Sequence, residues 1–171
     1  MSLSEACRIV NGTMSGSDAR FSSVSINTRS LQRGDLFVAI AGGHFDAHDF
    51  LDIAKEKGSV GAIIGRQLTS ELPTIRVKDT RIALGSLARE WRKNCSSLII
   101  GVTGSNGKTT VKEMIASILG LNSRVLFTQG NLNNEIGVPL TLLRLDQGDK
   151  YAVVEMGANH HGEIAYSSSL A

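Results

Sequence analysis

The chain of 171 residues has only two cysteines, two prolines and 5% aromatic residues, and its charge is almost balanced, with 18 basic against 16 acidic side chains. Each scarcity removes a class of protein. Cys7 and Cys95 stand alone at no metal or redox spacing, so free thiols are expected rather than a disulfide framework. A formal net charge of +2 supplies no basic field for nucleic acid or for an anionic membrane surface. No apolar run approaches the ~20 residues of a membrane span, and the stretch from Met1 to Arg8 lacks an apolar leader core. No membrane insertion and a cytoplasmic setting are therefore expected. With 42% hydrophobic residues the chain can bury one good core or two small ones, and its patterning favours two.

Glycine, in contrast, is plentiful, and its most informative use is in the run Gly101-Val-Thr-Gly-Ser-Asn-Gly-Lys-Thr-Thr-Val111. The preceding stretch 97–102 is apolar and β-branched, as in a buried strand, while Val111, Met114, Ile115, Ile118 and Leu119 recur at helical spacing after it. A glycine-rich turn between strand and helix leaves backbone amides and the positive end of the helix dipole pointing outward, which suits phosphate. Gly104 and Gly107 permit left-handed angles, Lys108 brings a mobile charge, Thr109 offers a hydroxyl to Mg²⁺, and Ser105, Asn106 and Thr110 complete the cradle. The strict Gly-x-x-x-x-Gly-Lys-Ser/Thr pattern is not met, because Val102 stands five before Gly107 and the nearest glycines are 101 and 104. The alternative is a glycine turn that binds nothing.

A phosphate loop needs a carboxylate on the metal side, and Tyr151-Ala-Val-Val-Glu155 places Glu155 at the carboxyl end of a strand, where ligands gather in parallel sheets. A surface glutamate ending a strand is the plainer alternative. Between the two motifs, Asn131, Asn133 and Asn134 lie in the polar loop Thr128 to Pro139 and could read an amide, a sugar or a metal-bound water, or could simply form turns. The segment Ala158-Asn-His-His-Gly-Glu163 reads better as a polar loop beside the nucleotide than as a transition-metal site, since adjacent histidines diverge and no cysteine joins them.

The first half alternates strands and helices of its own. Strands are expected over 24–26, 35–40, 60–64 and 74–77, and helices over 47–57 and from an Asp79 cap to about Asn94, with Ile82, Ala83, Leu87, Ala88 and Trp91 as the inward stripe of the second. A domain boundary is expected near residue 95, dividing 1–94 from 95–171. Two polar clusters follow the first two strands: Asn27-Thr-Arg29, and Gly42-Gly-His-Phe-Asp-Ala-His-Asp49. Arg29 could clamp a diphosphate, Thr28 could donate a hydrogen bond and Phe45 could stack on a base, with Gly42, Asp46 and His48 beside them. A solvated Arg29 and ordinary loop histidines are the competing account.

Together these stretches resemble the Mur ligase family, ATP-dependent amide-bond-forming enzymes of peptidoglycan synthesis. The resemblance rests on Thr-Gly-x-x-Gly-Lys-Thr109, Asn-Thr-Arg29, Arg-Gly-Asp-Leu-Phe-Val-Ala39, Phe-Asp-Ala-His-Asp-Phe50, Gly-Asn-Leu-Asn-Asn-Glu-Ile-Gly-Val-Pro139 and Glu-Met-Gly-Ala-Asn-His160, and it covers nearly the whole chain. These stretches look most like family members that join D-alanyl-D-alanine to UDP-N-acetylmuramoyl tripeptide. The resemblance implies an α/β protein: a small amino-terminal domain holding the UDP end of the carrier, then the first part of a mostly parallel-sheet, phosphate-loop domain holding ATP and magnesium. By matching position it implies that Thr28 and Arg29 touch UDP, that Lys108 and Glu155 serve the reaction with the asparagine loop, Asn134 included, and that Thr109 and Glu155 hold the metal. The family usually has an acidic residue where this chain has Asn27. Its members also carry a longer central domain and a third domain, so a fragment with ligand binding but without full activity, and with self-association through the incomplete central domain, is expected. Competing accounts are a sister ligase, a folylpolyglutamate-type synthetase, a phosphate-loop kinase or regulatory NTPase, and a non-catalytic binding module.

Overall fold

The computed structural model describes residues 1–43 and 45–171. His44, part of the second polar cluster, lies outside the described residues. The chain divides into two compact units, Met1–Leu84 and Gly85–Ala171. The division falls inside a helix rather than at the polar connection near residue 95, because Ala88 and Trp91 of that helix pack into the core of the second unit.

In the first unit a helix α1 (Leu3–Ile9) opens the chain, held by a capping box in which the Ser2 side chain accepts from the Glu5 amide and Glu5 accepts from that of Ser2. Five strands follow: β1 (Thr13–Ser15), β2 (Val24–Ser25), β3 (Leu36–Val38), β4 (Gly61–Ile64) and β5 (Thr74–Arg76). Their order is β1-β5-β4-β3-β2, parallel throughout except for the antiparallel β1–β5 pair. β3 and β4 are buried along their whole length, as expected of parallel strands covered on both faces. The helix expected over 47–57 begins as a 3₁₀ turn (Ala47–Phe50) and continues as α2 (Leu51–Glu56), with Leu51 and Ala54 packed against Phe37, Ala62 and Ile64.

Helix α3 (Thr80–Lys93) starts where expected, with Asp79 accepting from the amides of Arg81 and Ile82. Its inward stripe differs by one position: Leu84 is fully buried whereas Ile82 is 61% exposed.

The second unit contains β6 (Leu98–Val102), α4 (Lys108–Gly120), β7 (Val125–Phe127), α5 (Gly137–Leu142), β8 (Tyr151–Glu155) and α6 (Glu163–Leu170). Its sheet has the order β6-β8-β7, all parallel, with Val102 paired to Glu155. Alternation along β8 sorts the two faces. Ala152 and Val154 pack with Val138, Leu142 and Leu170, while Val153 packs with Val102 and Ala116 under α4. Glu155, two residues beyond Val153, therefore emerges on the face that α4 covers.

Helix α4 departs from its expected apolar stripe. Ile115 and Leu119 pack inward, but Val111, Met114 and Ile118 are exposed, and Lys112 and Ala116 are buried in their place. Among the described residues no helix is long and apolar enough to cross a membrane.

Candidate functional site

The site grows from the junction of β6 and α4. Strand β6 ends at Val102, and the chain turns through exposed residues 103–107 before α4 begins at Lys108. Gly104 has φ +148° and Gly107 φ +74°, so both use the backbone region that favours glycine, and Gly107 delivers the chain into the helix as its cap. The first amides of a helix have no intrahelical partner, and those of Lys108, Thr109 and Thr110 open the thirteen residues of α4 beside an exposed turn. Lys108 Nζ donates to Gly104 O at 2.9 Å, folding its ammonium over the turn. Ser105 and Asn106 form the exposed bend between the two glycines.

Glu155 closes the site from below. Only 2% of it is exposed, and its two oxygens are taken by different elements: Thr109 Oγ1 donates to Oε2 at 3.0 Å and Asn133 Nδ2 donates to Oε1 at 2.8 Å. Both donors are neutral. A carboxylate this deep costs several kcal/mol unless a cation compensates it, so its surroundings are arranged for positive charge. The oxygen donors at the turn, a carboxylate and an adjacent hydroxyl, are the kind that suits a hard cation such as Mg²⁺.

Two residues of this neighbourhood escape a reading based on motifs. Thr128, fully buried at the end of β7, accepts the Glu155 amide on Oγ1 at 2.9 Å. Lys112, 1% exposed, donates to Thr128 O at 2.8 Å and lies 4.0 Å from Glu155 Oε2. The available signal was spacing: Lys112, Ile115, Ala116 and Leu119 stand at i, i+3, i+4 and i+7, which is the inward face that α4 uses.

The asparagines separate into distinct jobs. Asn133 bonds Glu155 through its side chain, and its carbonyl accepts from the Gly157 amide at 2.8 Å. Asn134 Oδ1 accepts from the amides of Gly137 at 2.8 Å and Ile136 at 3.3 Å, which fastens the start of α5. Asn131 is exposed on the loop, its carbonyl accepting from Asn133. In the segment beyond β8, Glu163 accepts from the amides of Asn159 and His160, and those backbone bonds hold its carboxyl below the usual range. No cluster of three or more metal-ligating side chains occurs among the described residues.

The first unit presents its candidates at the carboxyl ends of β2 and β3. Arg29 is exposed, and its amide donates to Asn27 Oδ1 at 2.9 Å; any side-chain oxygen at position 27 can accept this bond, so asparagine can take the place of an acid there. Thr28 sits half-buried in the same turn. Phe45 is 57% exposed and stacks on Phe50 with centroids 5.0 Å apart, while the Gly42 amide donates to Phe45 O. Asp46 and His48 meet in a cleft of about 430 Å³ that Arg66, Lys78 and Arg81 also line. His48 is buried with both ring nitrogens occupied: Nε2 accepts from the Gly65 amide at 2.8 Å, so Nδ1 carries the proton toward Asp46. It fastens the loop rather than facing outward. Thr28, Arg29, Gly42 and Phe45 do not line this cleft.

Residues 102–171 match the Mur ligase middle domain, and over 170 residues the chain is 49% identical to the UDP-N-acetylmuramoyl-tripeptide–D-alanyl-D-alanine ligase of Escherichia coli (strain K12), covering 99% of this chain and 38% of that protein. The chain belongs to the Mur ligase family. A Mur ligase of the same name from Bacillus subtilis (strain 168) is 43% identical over 152 residues, covering 86% of this chain and 33% of its own. Among solved Mur ligases, crystal structure I of MurF from Acinetobacter baumannii superposes with a TM-score of 0.89 at 39% identity, covering 98% of this chain and 38% of that one. MurF from Thermotoga maritima, in complex with ADP, gives 0.79 at 38% identity, covering 89% and 35%. The chain spans less than two fifths of the length of these relatives.

Proposed function

We propose that this chain holds the nucleotide and the carrier substrate of a ligase that joins D-alanyl-D-alanine to UDP-N-acetylmuramoyl tripeptide at the expense of ATP. The observation that carries the proposal is the Thr109–Glu155 hydrogen bond beneath an open, glycine-capped turn at a helix start. In this reading the amides of residues 104–110 cradle the β- and γ-phosphates, and the Lys108 ammonium leaves the Gly104 carbonyl for phosphate oxygen. Thr109 and Glu155 hold Mg²⁺, which when bound neutralises charge on the transferring phosphoryl group.

The chemistry assigned to the ligase is acyl transfer through an acyl phosphate. A carboxylate oxygen of the tripeptide bonds to the γ-phosphorus as the bond to the bridging oxygen breaks and ADP departs. The amine of D-alanyl-D-alanine then attacks the acyl carbon, loses a proton, and phosphate leaves. No side chain of the protein forms a covalent bond; its residues position the phosphates and oppose developing charge. Asn131, Asn133 and Asn134 order the loop beside the reacting end, and Thr28, Arg29, Gly42, Phe45 and Asp46 face the UDP end, with His48 fixing their loop. The setting is the cytoplasm, where ATP is supplied, and the exposed apolar residues of α4 favour self-association of this chain.

Because the chain spans about 38% of the length of such a relative, binding is the quantity to test. Titration calorimetry with Mg·ATP and, separately, with UDP-N-acetylmuramoyl tripeptide should give heat for both. Binding of the carrier alone would favour a non-catalytic carrier-binding module. Binding of neither would overturn the proposal.

A further inference from the structure

A helix lying on a sheet normally turns apolar side chains inward, yet α4 turns Lys112 there, 1% exposed. Burying an ammonium is expensive, and three neighbours answer it. Nζ donates to Thr128 O at 2.8 Å, pairs with Glu113 Oε1 at 2.9 Å, and stands 5.8 Å from the centre of the Phe127 ring. Those contacts would satisfy the lysine without help from the nucleotide site. The fourth relationship is the informative one: Glu155 Oε2 lies 4.0 Å away, near enough for a strong charge interaction and beyond hydrogen-bond reach.

From this arrangement we infer that Lys112 is a positioning residue for the metal-side carboxylate. It acts on Glu155 by two routes. Through space it is the only buried cation among the described residues, and it compensates a carboxylate whose direct partners, Thr109 and Asn133, are neutral. Through bonds it grips the carbonyl of Thr128, whose hydroxyl holds the Glu155 amide and whose chain continues into the loop bearing Asn133. The 4.0 Å gap matters because a direct ammonium–carboxylate bond would compete with an incoming cation. Lys112 instead keeps the carboxylate aimed at Thr109 while leaving its oxygens on exchangeable neutral donors.

The inference rests on the nucleotide-site reading above, and the test separates the two. ATP affinity is measured by calorimetry in EDTA and in Mg²⁺ for the wild-type chain, Lys112→Met and Lys112→Arg. Hydrogen exchange of the ligand-free proteins is followed alongside. Loss of a residue that orients a metal ligand weakens metal binding by about 10- to 100-fold. Lys112→Met should therefore leave affinity in EDTA within about twofold and lose about 10- to 100-fold of the gain that Mg²⁺ confers. Lys112→Arg should recover part of that gain. Amides of residues 128–134 should exchange faster in Lys112→Met while those of β8 stay protected. Equal losses in EDTA and Mg²⁺, or an unchanged Mg²⁺ gain, would overturn the inference. A wild-type chain that binds no ATP would overturn the nucleotide reading itself, and this inference with it. If Lys112→Met does not fold, the double variant Lys112→Met/Glu155→Gln decides. Recovery of folding would place the cost in a stranded Glu155 carboxylate, as inferred, whereas continued failure to fold would overturn the pairing.

Discussion

The hydroxyl of Thr109 donates to Glu155 Oε2 at 3.0 Å, joining the first turn of α4 to the end of β8 across 46 residues of sequence. Thr109→Val keeps the shape and deletes the donor. A hydrogen bond to a charged group contributes about 1.5–3 kcal/mol, and the exposure of Thr109 places this one toward the lower end. Urea denaturation should register that loss. Calorimetry should register a second effect, a larger fall in ATP affinity with Mg²⁺ than in EDTA. Equal falls under both conditions would remove Thr109 from the metal side of the site.

Gly137 opens α5, and a β-carbon there would lie 2.3 Å from the carbonyl carbon of Leu132. Backbone cannot yield as a flexible side chain can, so Gly137→Ala must displace the loop that carries Asn133 toward Glu155. Overpacking of this kind costs about 1–3 kcal/mol. Gly120→Ala is the contrast, since open space surrounds that site at the end of α4 and alanine should be neutral or stabilise by up to about 1 kcal/mol. Thermal melting of the two variants should move in opposite directions or differ by this margin, and comparable melting temperatures would mean that the 131–134 loop yields freely.

Much of this arrangement was legible because its parts lie next to one another in the sequence. Glycines at 104 and 107, Lys108 and Thr109 are adjacent in sequence, and the apolar run before Glu155 fixed both its strand and its place at the strand's end. What escaped was set by packing between distant segments. The apolar spacing of Val111, Met114 and Ile118 suggested one face for α4, but the strand-to-helix turn orients the helix, and it presents Lys112 to the sheet. The helical spacing of residues 112, 115, 116 and 119 gives Lys112 its inward place, but its bond to Thr128 and that of Thr128 to Glu155 span sixteen and more residues, and periodicity does not encode those partners. Helix α1 is legible in the sequence as well, since Ser2 and Glu5 carry the spacing of a capping box.

Asp46 supplies a pH dependence with a definite sign. The His48 amide, then the His48 ring, hold its carboxyl below the ordinary range, with the charge of Arg66 adding to the effect. The folded protein therefore releases this proton more readily than the unfolded chain, whose aspartates titrate at about 3.9. The stabilisation is complete above that value and is lost as pH falls through the lower folded one. Asp46→Asn retains an acceptor for the His48 amide and removes the charge. Urea midpoints followed from pH 6 to pH 3 should fall less steeply for this variant than for wild type. Because Glu5, Asp18, Asp146 and Glu163 are also lowered and remain in both proteins, the difference between the two curves isolates Asp46. Parallel curves would show that the loop bond is indifferent to charge.

Val111, Met114, Ile118 and Leu121 are all exposed, Ile118 by 66% and Leu121 by 79%, and their spacing of three, four and three residues lines them along one stripe of α4 and its C-cap residue Leu121. Water contact with such a stripe is unfavourable at roughly 25 cal/mol for each Å² that association could cover, so the chain should associate with itself as its concentration rises. Ile118→Lys changes the centre of the stripe without touching the inward face, where Lys112, Ile115, Ala116 and Leu119 lie. Exposed substitutions of this kind usually alter stability by no more than about 0.5 kcal/mol. Sedimentation velocity across a concentration series should show a rising sedimentation coefficient for wild type and a constant one for Ile118→Lys, with the two unfolding at nearly the same urea concentration. A wild-type coefficient that stays constant would show that the stripe tolerates water, and a large loss of stability in the variant would show that Ile118 contributes to the core after all.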